Sequence, residues 1–327
     1  MFEALIVLAA GLVASLLSMP LIIQKMRKNG VVGVDVHKKG RPVVPEMGGI
    51  AVLIGLVISV TVALLLLPGK ATILVVFLAT VLVAGAVGAL DDLKTLDAKV
   101  KPLLTALASI PILMSRAYNP YPSFPIIGRT RLTVVYPLLT PPAIAVSSNA
   151  VNMMDPFNGT MSGTCSIMTI VLVASALILH RSDALILSVC LLGPLLALYY
   201  YNRYPAKVFS GDVGSLSIGA ALGAIAIIGQ LEMVAVVAFM PQIMNAFYGL
   251  ATIGRLYERR EVARPITVLD DGRLMANTDP KAPITLARLV LARGPLHEYE
   301  AVRIFLLLSF LSGVLAIFTA YLTAVTP

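Results

Sequence analysis

The chain alternates long apolar runs with short polar segments. Ten runs approach the length that crosses a bilayer, and they cover residues 2–24, 47–67, 71–90, 102–117, 133–150, 160–180, 183–201, 213–229, 231–253 and 303–325. Several runs lie near the lower limit of about 17 residues, so tilted or partial spans are expected. The pattern predicts an all-α polytopic membrane protein with about ten transmembrane helices.

Charge divides the loops between these runs into two alternating sets. One set consists of residues 25–46, 91–101, 151–159, 202–212 and 254–302. With the boundary residue Arg303, it holds every lysine and arginine except Lys70, Arg116, Arg129, Arg131 and Arg181. An excess of Lys and Arg marks the cytoplasmic side, so this set, here called the polar face, is predicted to face the cytoplasm. Both termini would then face outside.

Composition agrees with a membrane protein and argues against nucleic-acid binding. The chain is 58% hydrophobic and 13% charged, whereas soluble domains carry about 25% charged residues. The net charge of +8 comes from bases beside apolar runs, which is an orientation signal and not a nucleic-acid surface. Cys165 and Cys190 lie inside apolar runs and are predicted to be buried thiols.

The longest loop, residues 254–302, is predicted to be an insertion with local structure of its own within a single domain of residues 1–327. Ile266–Leu269 and Arg273–Ala276 flank an Asp-Gly turn, a pattern that predicts a β-hairpin. Ile284–Arg293 is amphipathic and basic, which predicts a helix along the membrane surface.

The polar segment 91–101 is the first candidate for chemistry. Asp91 and Asp92 end one apolar run, and Lys101 begins the next. Lysines alone would suggest anchors that reach the headgroups, but adjacent aspartates indicate a place where a metal and a phosphate meet.

A second candidate lies at residues 149–159. Asn149, Asn152 and Asp155 are spaced three apart, so a helix would place them on one face. Pro156 and Asn158-Gly159 then predict a helix end and a turn. A cap followed by an ordinary loop is the alternative interpretation.

The third candidate is Asp212, within Phe209–Ser215. It could be a metal ligand at a helix start that also favours phosphate, or simply the N-cap of that helix. Glu46 stands at another helix start, beside Gly48-Gly49.

These residue types favour a hard cation and a pyrophosphate. Carboxylates and amides suit Mg²⁺ or Mn²⁺, and with three histidines in the chain a zinc centre is not expected. Four bases could meet phosphate oxygens: Lys101, Arg259, Arg260 and Arg264. The sequence has no P-loop motif.

Three motifs in a fixed order carry a family resemblance. They are Asp91-Asp92…Leu96…Lys101, Asn149…Asn152…Asp155…Asn158-Gly159 and Phe209…Ser215. From about Gly33 to Glu298 the chain resembles the polyprenyl-phosphate N-acetylhexosamine-1-phosphate transferases. Pro45–Gly49 and Gly294–Glu298 are most similar to the archaeal and eukaryotic branch, the dolichyl-phosphate GlcNAc-1-phosphate transferases.

The resemblance implies transfer of GlcNAc-1-phosphate from UDP-GlcNAc to a polyprenyl (dolichyl) phosphate in the bilayer, at loops on the cytoplasmic side. It also implies that residues 254–302 are the substrate-recognition insertion. It implies Asn152 and Asp212 as Mg²⁺ ligands, with Mn²⁺ as a substitute. It also implies catalytic roles for Asp91, Asp92 and Lys101, and it is compatible with a homodimer. Six residues would bind substrate, with uracil near Asn158: Glu46, Asn149, Asp155, Asn158, Arg260 and Arg264.

Two alternatives stay open at this point. The same fold could use another UDP-N-acetylhexosamine, such as UDP-MurNAc-pentapeptide or UDP-GalNAc. A transporter would place charges at mid-bilayer on broken helices and often show inverted repeats, whereas these charges gather on one face.

Overall fold

A computed structural model of the chain describes residues 2–257 and 261–326, and its regular structure is mainly helical. The helices are α1 (Phe2–Lys28), α2 (Gly49–Leu66), α3 (Ala71–Lys94), α4 (Val100–Ala106), α5 (Ile110–Ser115), α6 (Val135–Met153), α7 (Thr160–Ile178), α8 (Ser182–Asn202), α9 (Gly211–Ile228), α10 (Glu232–Ala238), α11 (Met240–Ile253), α12 (Leu286–Val290) and α13 (Glu298–Val325). The strands form three antiparallel pairs: β1 (Val32–Val34) with β2 (Val43–Pro45), β3 (Ser123–Phe124) with β4 (Gly128–Arg129), and β5 (Ile266–Val268) with β6 (Leu274–Ala276).

The polytopic all-α prediction is confirmed, but the count of ten spans is not. Within the described residues, seven helices are long and apolar enough to cross a membrane, or eight if α10 and α11, bent by 62°, form one span. The predicted span at 102–117 is a shorter apolar segment, Val100–Ser115, divided between α4 and α5. The span at 133–150 corresponds to α6, which includes Pro141, Pro142 and several polar residues.

Helix α9 lies at the centre of the molecule. Every residue from Val213 to Ile228 is buried, as expected of a helix enclosed by other helices on all sides. Glycines let its neighbours approach closely: a Cβ on Gly88 of α3 would lie 2.3 Å from the Asp212 carbonyl oxygen. A Cβ on Gly49 of α2 would lie 2.2 Å from the Cα of Gly214. Small residues at helix crossings are typical of membrane bundles.

The predicted hairpin in residues 254–302 is confirmed, with Val268 paired to Leu274 and Gly272 at positive φ in the turn. The amphipathic segment is regular over a shorter range than predicted, as α12 followed by a 3-10 turn at Leu291–Arg293. Its apolar side packs against the hairpin and α13, because Leu291 shares a buried cluster with Leu274 and Phe305. Part of the apolar stripe therefore contacts protein, whereas Ile284 and Leu289 remain exposed.

The two cysteines are free and buried, as predicted. The segment between α5 and α6 contains the β3–β4 pair.

Candidate active site

Four polar side chains from four helices meet at the start of α9. Lys101 Nζ lies 2.6 Å from Asp212 Oδ2 and also forms an ion pair with Asp91. Asn152 Nδ2 donates to Asp212 Oδ1 at 2.6 Å and to Ser215 Oγ at 2.8 Å. Asp91 is buried at the end of α3, whereas the Asp212 side chain keeps 30% exposure. The carboxylate of Asp212 is thus paired on both oxygens and still reachable from solvent.

Asp92 holds the first turn of α9. Its Oδ1 accepts from the Asp212 amide at 2.7 Å, and its Oδ2 accepts from the Val213 amide at 3.0 Å. Helix starts leave such amides without intrahelical partners, and a carboxylate there also opposes the helix dipole. Gly211 makes room for this contact, because its φ is +68° and an added Cβ would lie 2.6 Å from Asp92 Oδ2.

The N-cap interpretation of Asp212 is therefore wrong. Helix α9 begins at Gly211, Ser210 occupies the N-cap position, and the Asp212 side chain faces Lys101 and Asn152 instead. The expectation that this helix start offers amides to phosphate also changes. Two of those amides are already bonded to Asp92, so fewer remain for a phosphate.

Asn149 and Asp155 do not join Asn152 in contact with Asp212. Asn149 Nδ2 donates to Thr105 Oγ1 at 2.9 Å and so ties α6 to α4. Asp155 lies beyond Met153, where α6 ends, so it is not on the predicted helical face. It accepts from Ser210 Oγ at 2.7 Å and thereby meets the segment before α9.

Glu46 lies where the first polar loop joins the segment before α9. The backbone amides of Gly48 and Gly49 donate to the carbonyls of Phe209 and Ser210 at 2.8 and 2.9 Å. Burial raises the pKa of the Glu46 carboxyl, and the negative charge of Asp212 raises this pKa further. The structure therefore places Glu46 within the electrostatic reach of Asp212.

A second polar cluster surrounds Asn158. The Asn158 amide donates to Glu298 Oε1 at 2.9 Å, and Asn158 Nδ2 donates to Asp35 Oδ2 at 3.0 Å. Lys38 forms an ion pair with Asp35 and lies 3.4 Å from Glu298 Oε2. The sequence did not predict this second cluster, which consists of Asp35, Lys38, Asn158 and Glu298. The i, i+3 spacing of Asp35 and Lys38 is the one local signal.

Arg264 shares a groove with Lys38 of the second cluster. It is exposed, and it lines an open groove of about 440 Å³ between residues 36–41 and strand β5. Lys39 and Arg41 line the same groove, and Lys39 Nζ donates to the Asp270 carbonyl at 2.9 Å. The predicted site residue Arg260, with its neighbour Arg259, lies outside the described residues.

The polar groups at Asp212 suit a magnesium ion whose remaining ligands come from water and substrate. No three His, Cys, Asp or Glu side chains in residues 2–257 and 261–326 form a group that could hold a metal. Asp212 and Asn152 do offer one carboxylate and one carboxamide side by side. Mg²⁺ is commonly held by one or two carboxylates, with waters and substrate phosphates as its other ligands.

Comparison with known proteins gives a consistent picture. A family model described as "Glycosyl transferase family 4" matches residues 74–230. A Sulfolobus acidocaldarius protein, provisionally named a UDP-N-acetylglucosamine–dolichyl-phosphate N-acetylglucosaminephosphotransferase, is 28% identical over 94% of this chain and 93% of its own length. A phospho-N-acetylmuramoyl-pentapeptide-transferase of Desulforamulus reducens is 30% identical over 84% of this chain and 82% of its own.

Proposed function

The chain belongs to glycosyl transferase family 4, among the polyprenyl-phosphate N-acetylhexosamine-1-phosphate transferases, and from this premise we propose its reaction. It transfers GlcNAc-1-phosphate from UDP-GlcNAc to a polyprenyl (dolichyl) phosphate, giving polyprenyl-pyrophosphate-GlcNAc and UMP. This is the first membrane step in building a lipid-linked glycan. The observation that carries the proposal is the meeting of Asp91, Lys101, Asn152 and Asp212 at the start of α9.

Asp212 and Asn152 would hold Mg²⁺, with Mn²⁺ as a substitute. When bound, the ion supplies positive charge that neutralises the pyrophosphate and polarises its oxygens. Asp212 presents a carboxylate at this place, and Asn152 contacts it through its amide nitrogen, so the amide would turn over to present its oxygen to the ion. The remaining residues then have to position the two substrates.

Lys101 is suited to bind phosphate oxygens. Its ammonium is shared between Asp91 and Asp212, so it is already oriented toward the proposed metal ligands. A pyrophosphate would replace part of this pairing with its own negative charge. Metal-bridged phosphoryl transfer depends mainly on such positioning and charge stabilisation.

Asp91 would orient the acceptor phosphate, and Asp92 would hold the site in place through α9. An oxygen of the acceptor phosphate attacks the β-phosphorus of the donor in line. The bond from that phosphorus to the oxygen bridging the two phosphates breaks, and its electron pair leaves with UMP. A phosphomonoester has a second pKa of about 6, so it is a competent nucleophile near neutral pH, which favours single displacement.

A direct assay tests the reaction. Detergent-purified protein is incubated with Mg²⁺, polyprenyl phosphate and UDP-GlcNAc labelled in the sugar, with and without EDTA. We expect UMP and labelled lipid in equal amounts, and neither product with EDTA. Release of UMP without labelled lipid would contradict the transfer step, and no turnover with any UDP-sugar would reopen the transporter alternative.

The Desulforamulus reducens relative favours one other donor, UDP-MurNAc-pentapeptide. The same assay with UDP-GlcNAc, UDP-GalNAc and UDP-MurNAc-pentapeptide at equal concentration separates these candidates. The donor with the highest kcat/KM identifies the physiological class, and we expect it to be UDP-GlcNAc.

A further inference from the structure

Asn158 is held from two sides by carboxylates that come from distant parts of the chain. Asp35 follows β1, and Glu298 is the first residue of α13. Glu298 bonds the backbone of Asn158, whereas Asp35 bonds its side chain. Asp35, Asn158 and Glu298 are each no more than 5% exposed. The two contacts therefore differ in what they control: one anchors the loop, and the other orients the amide.

The orientation of the Asn158 amide follows from chemistry. A carboxylate only accepts hydrogen bonds, and an amide donates only from its nitrogen. The atom facing Asp35 must therefore be Nδ2, in agreement with the distance of 3.0 Å between Asn158 Nδ2 and Asp35 Oδ2. Asp35 is itself fixed by the ion pair with Lys38 and by the His37 amide, which donates to Oδ1 at 3.3 Å.

This arrangement leaves Asn158 Oδ1 as an acceptor. No described residue donates a hydrogen bond to this oxygen. It is also not among the unpaired polar atoms that are fully enclosed, so it can be reached from outside the protein. It is therefore available to a ligand. A free asparagine could turn its amide over and offer either a donor or an acceptor, but Asp35 removes that choice.

We propose that Asp35 is a positioning residue that sets the preference for uracil over cytosine. The inference rests on the proposed function and on the expectation, implied by the family resemblance, that the uracil of the donor lies near Asn158. Uracil presents a donor at N3, which complements Asn158 Oδ1. Cytosine presents an acceptor at N3, which would face a second acceptor. An unmatched polar contact of this kind changes affinity by about tenfold or more.

The test compares UDP and CDP binding to the detergent-purified full chain by titration calorimetry in Mg²⁺. Wild-type protein should bind UDP at least about tenfold more tightly than CDP, and N3-methyl-UDP no more tightly than CDP. In Asp35→Asn the Asn158 amide can turn over, so the UDP/CDP ratio should fall toward one. The N3-methyl-UDP measurement needs no variant, so it stands even where a substitution impairs folding.

Two further variants separate orientation from general support. Glu298→Gln keeps an acceptor oxygen for the Asn158 backbone, so it should leave the UDP/CDP ratio unchanged even where the melting temperature falls. In the double variant Asp35→Asn with Asn158→Asp, the new Asn donates to the new Asp, which again offers a fixed acceptor. The double variant should regain the preference for UDP.

The outcomes divide cleanly. An unchanged ratio in Asp35→Asn, or tight binding of N3-methyl-UDP, overturns the role of Asp35 while the transferase proposal stands. If wild-type protein binds neither UDP nor CDP, the proposed function itself fails, and the inference fails with it. A ratio lost in Asp35→Asn and regained in the double variant establishes the orienting role.

Discussion

Asp212 and Asp92 lie side by side at the start of α9 and have different tasks. Asp92 satisfies backbone amides, whereas the Asp212 carboxylate bonds to the side chains of Lys101 and Asn152 and to no backbone amide of the described residues. Loss of the Asp212 charge should therefore affect ligand binding and leave the helix intact. Loss of Asp92 would leave two amides without their partner and should destabilise the fold.

The first prediction concerns Asp212→Asn. We expect transferase activity to fall by about a hundredfold or more, as when a key electrostatic group is removed from an active site. The melting temperature in detergent should change little, because the cap on α9 remains. Asp97→Asn is the control, since Asp97 lies in the polar loop 91–101 that carries Lys101, is exposed, and its carboxylate accepts only from the Lys99 amide among the described residues. Unfolding of Asp212→Asn would contradict the division of tasks.

A second prediction follows from the raised pKa of Glu46. A carboxyl whose pKa is higher in the folded state than in the unfolded state destabilises the fold while it is charged. This destabilisation is complete above the folded pKa and disappears as pH falls through that value toward the unfolded pKa, about 4.5. Glu46→Gln should therefore melt at a higher temperature than wild type at pH 7.5, with the difference shrinking toward pH 5. Thermal unfolding at both pH values measures this effect. Equal melting temperatures at pH 7.5 would show that burial of the carboxylate does not lower the stability of the fold.

At the scale of elements, the crossing of α3 and α9 sets the geometry of the site. The crossing carries Asp91 and Asp92 on one helix and Asp212 on the other. Gly88 permits the contact, because its missing Cβ would meet the backbone of Asp212 and Val213 within 2.6 Å. Backbone atoms cannot rotate away as a side chain can, so this separation is fixed.

Gly88→Ala should therefore force the two helices apart and lower the free energy of unfolding by about 1–3 kcal/mol. Its transferase activity should fall further than that of the control variant. The matched control is Gly85→Ala on the same helix. Its new Cβ would lie 2.8 Å from Leu53 Cδ1, the end of a side chain that can move. Thermal unfolding and transferase assays of both variants make the comparison. Equal behaviour of the two variants would mean that this crossing does not determine the site.

The elements also show how far sequence reasoning reaches. Hydrophobic runs predicted the places of the helices because apolar length is a local property, and the Asp-Gly turn predicted the β5–β6 hairpin for the same reason. Local spacing misplaced Asn149 and Asp155, because α6 ends at Met153 and the Asn149 side chain donates a hydrogen bond to α4. The bond between Asn158 and Asp35 joins residues 123 positions apart, so no local pattern contains it.

At the scale of the whole molecule, the polar segments gather on the face that the charge pattern predicts to be cytoplasmic. Both polar clusters lie on segments of the predicted cytoplasmic set, with the exposed turn at Asp270 in the same set. The β3–β4 pair belongs to the opposite set, and Ile126 there is 81% exposed. Since nucleotide sugars are made in the cytoplasm, the proposed reaction requires this orientation.

Thiol labelling in intact cells tests the orientation. The native Cys165 and Cys190 are buried, so they should stay unlabelled and provide a clean background. With a membrane-impermeant maleimide, Ile126→Cys should be labelled in intact cells and Asp270→Cys only after the membrane is opened. The reverse pattern would place both clusters outside, away from the nucleotide donor. A transferase using cytoplasmic UDP-GlcNAc would then be untenable even with Asp212, Asn152 and Lys101 in their present geometry.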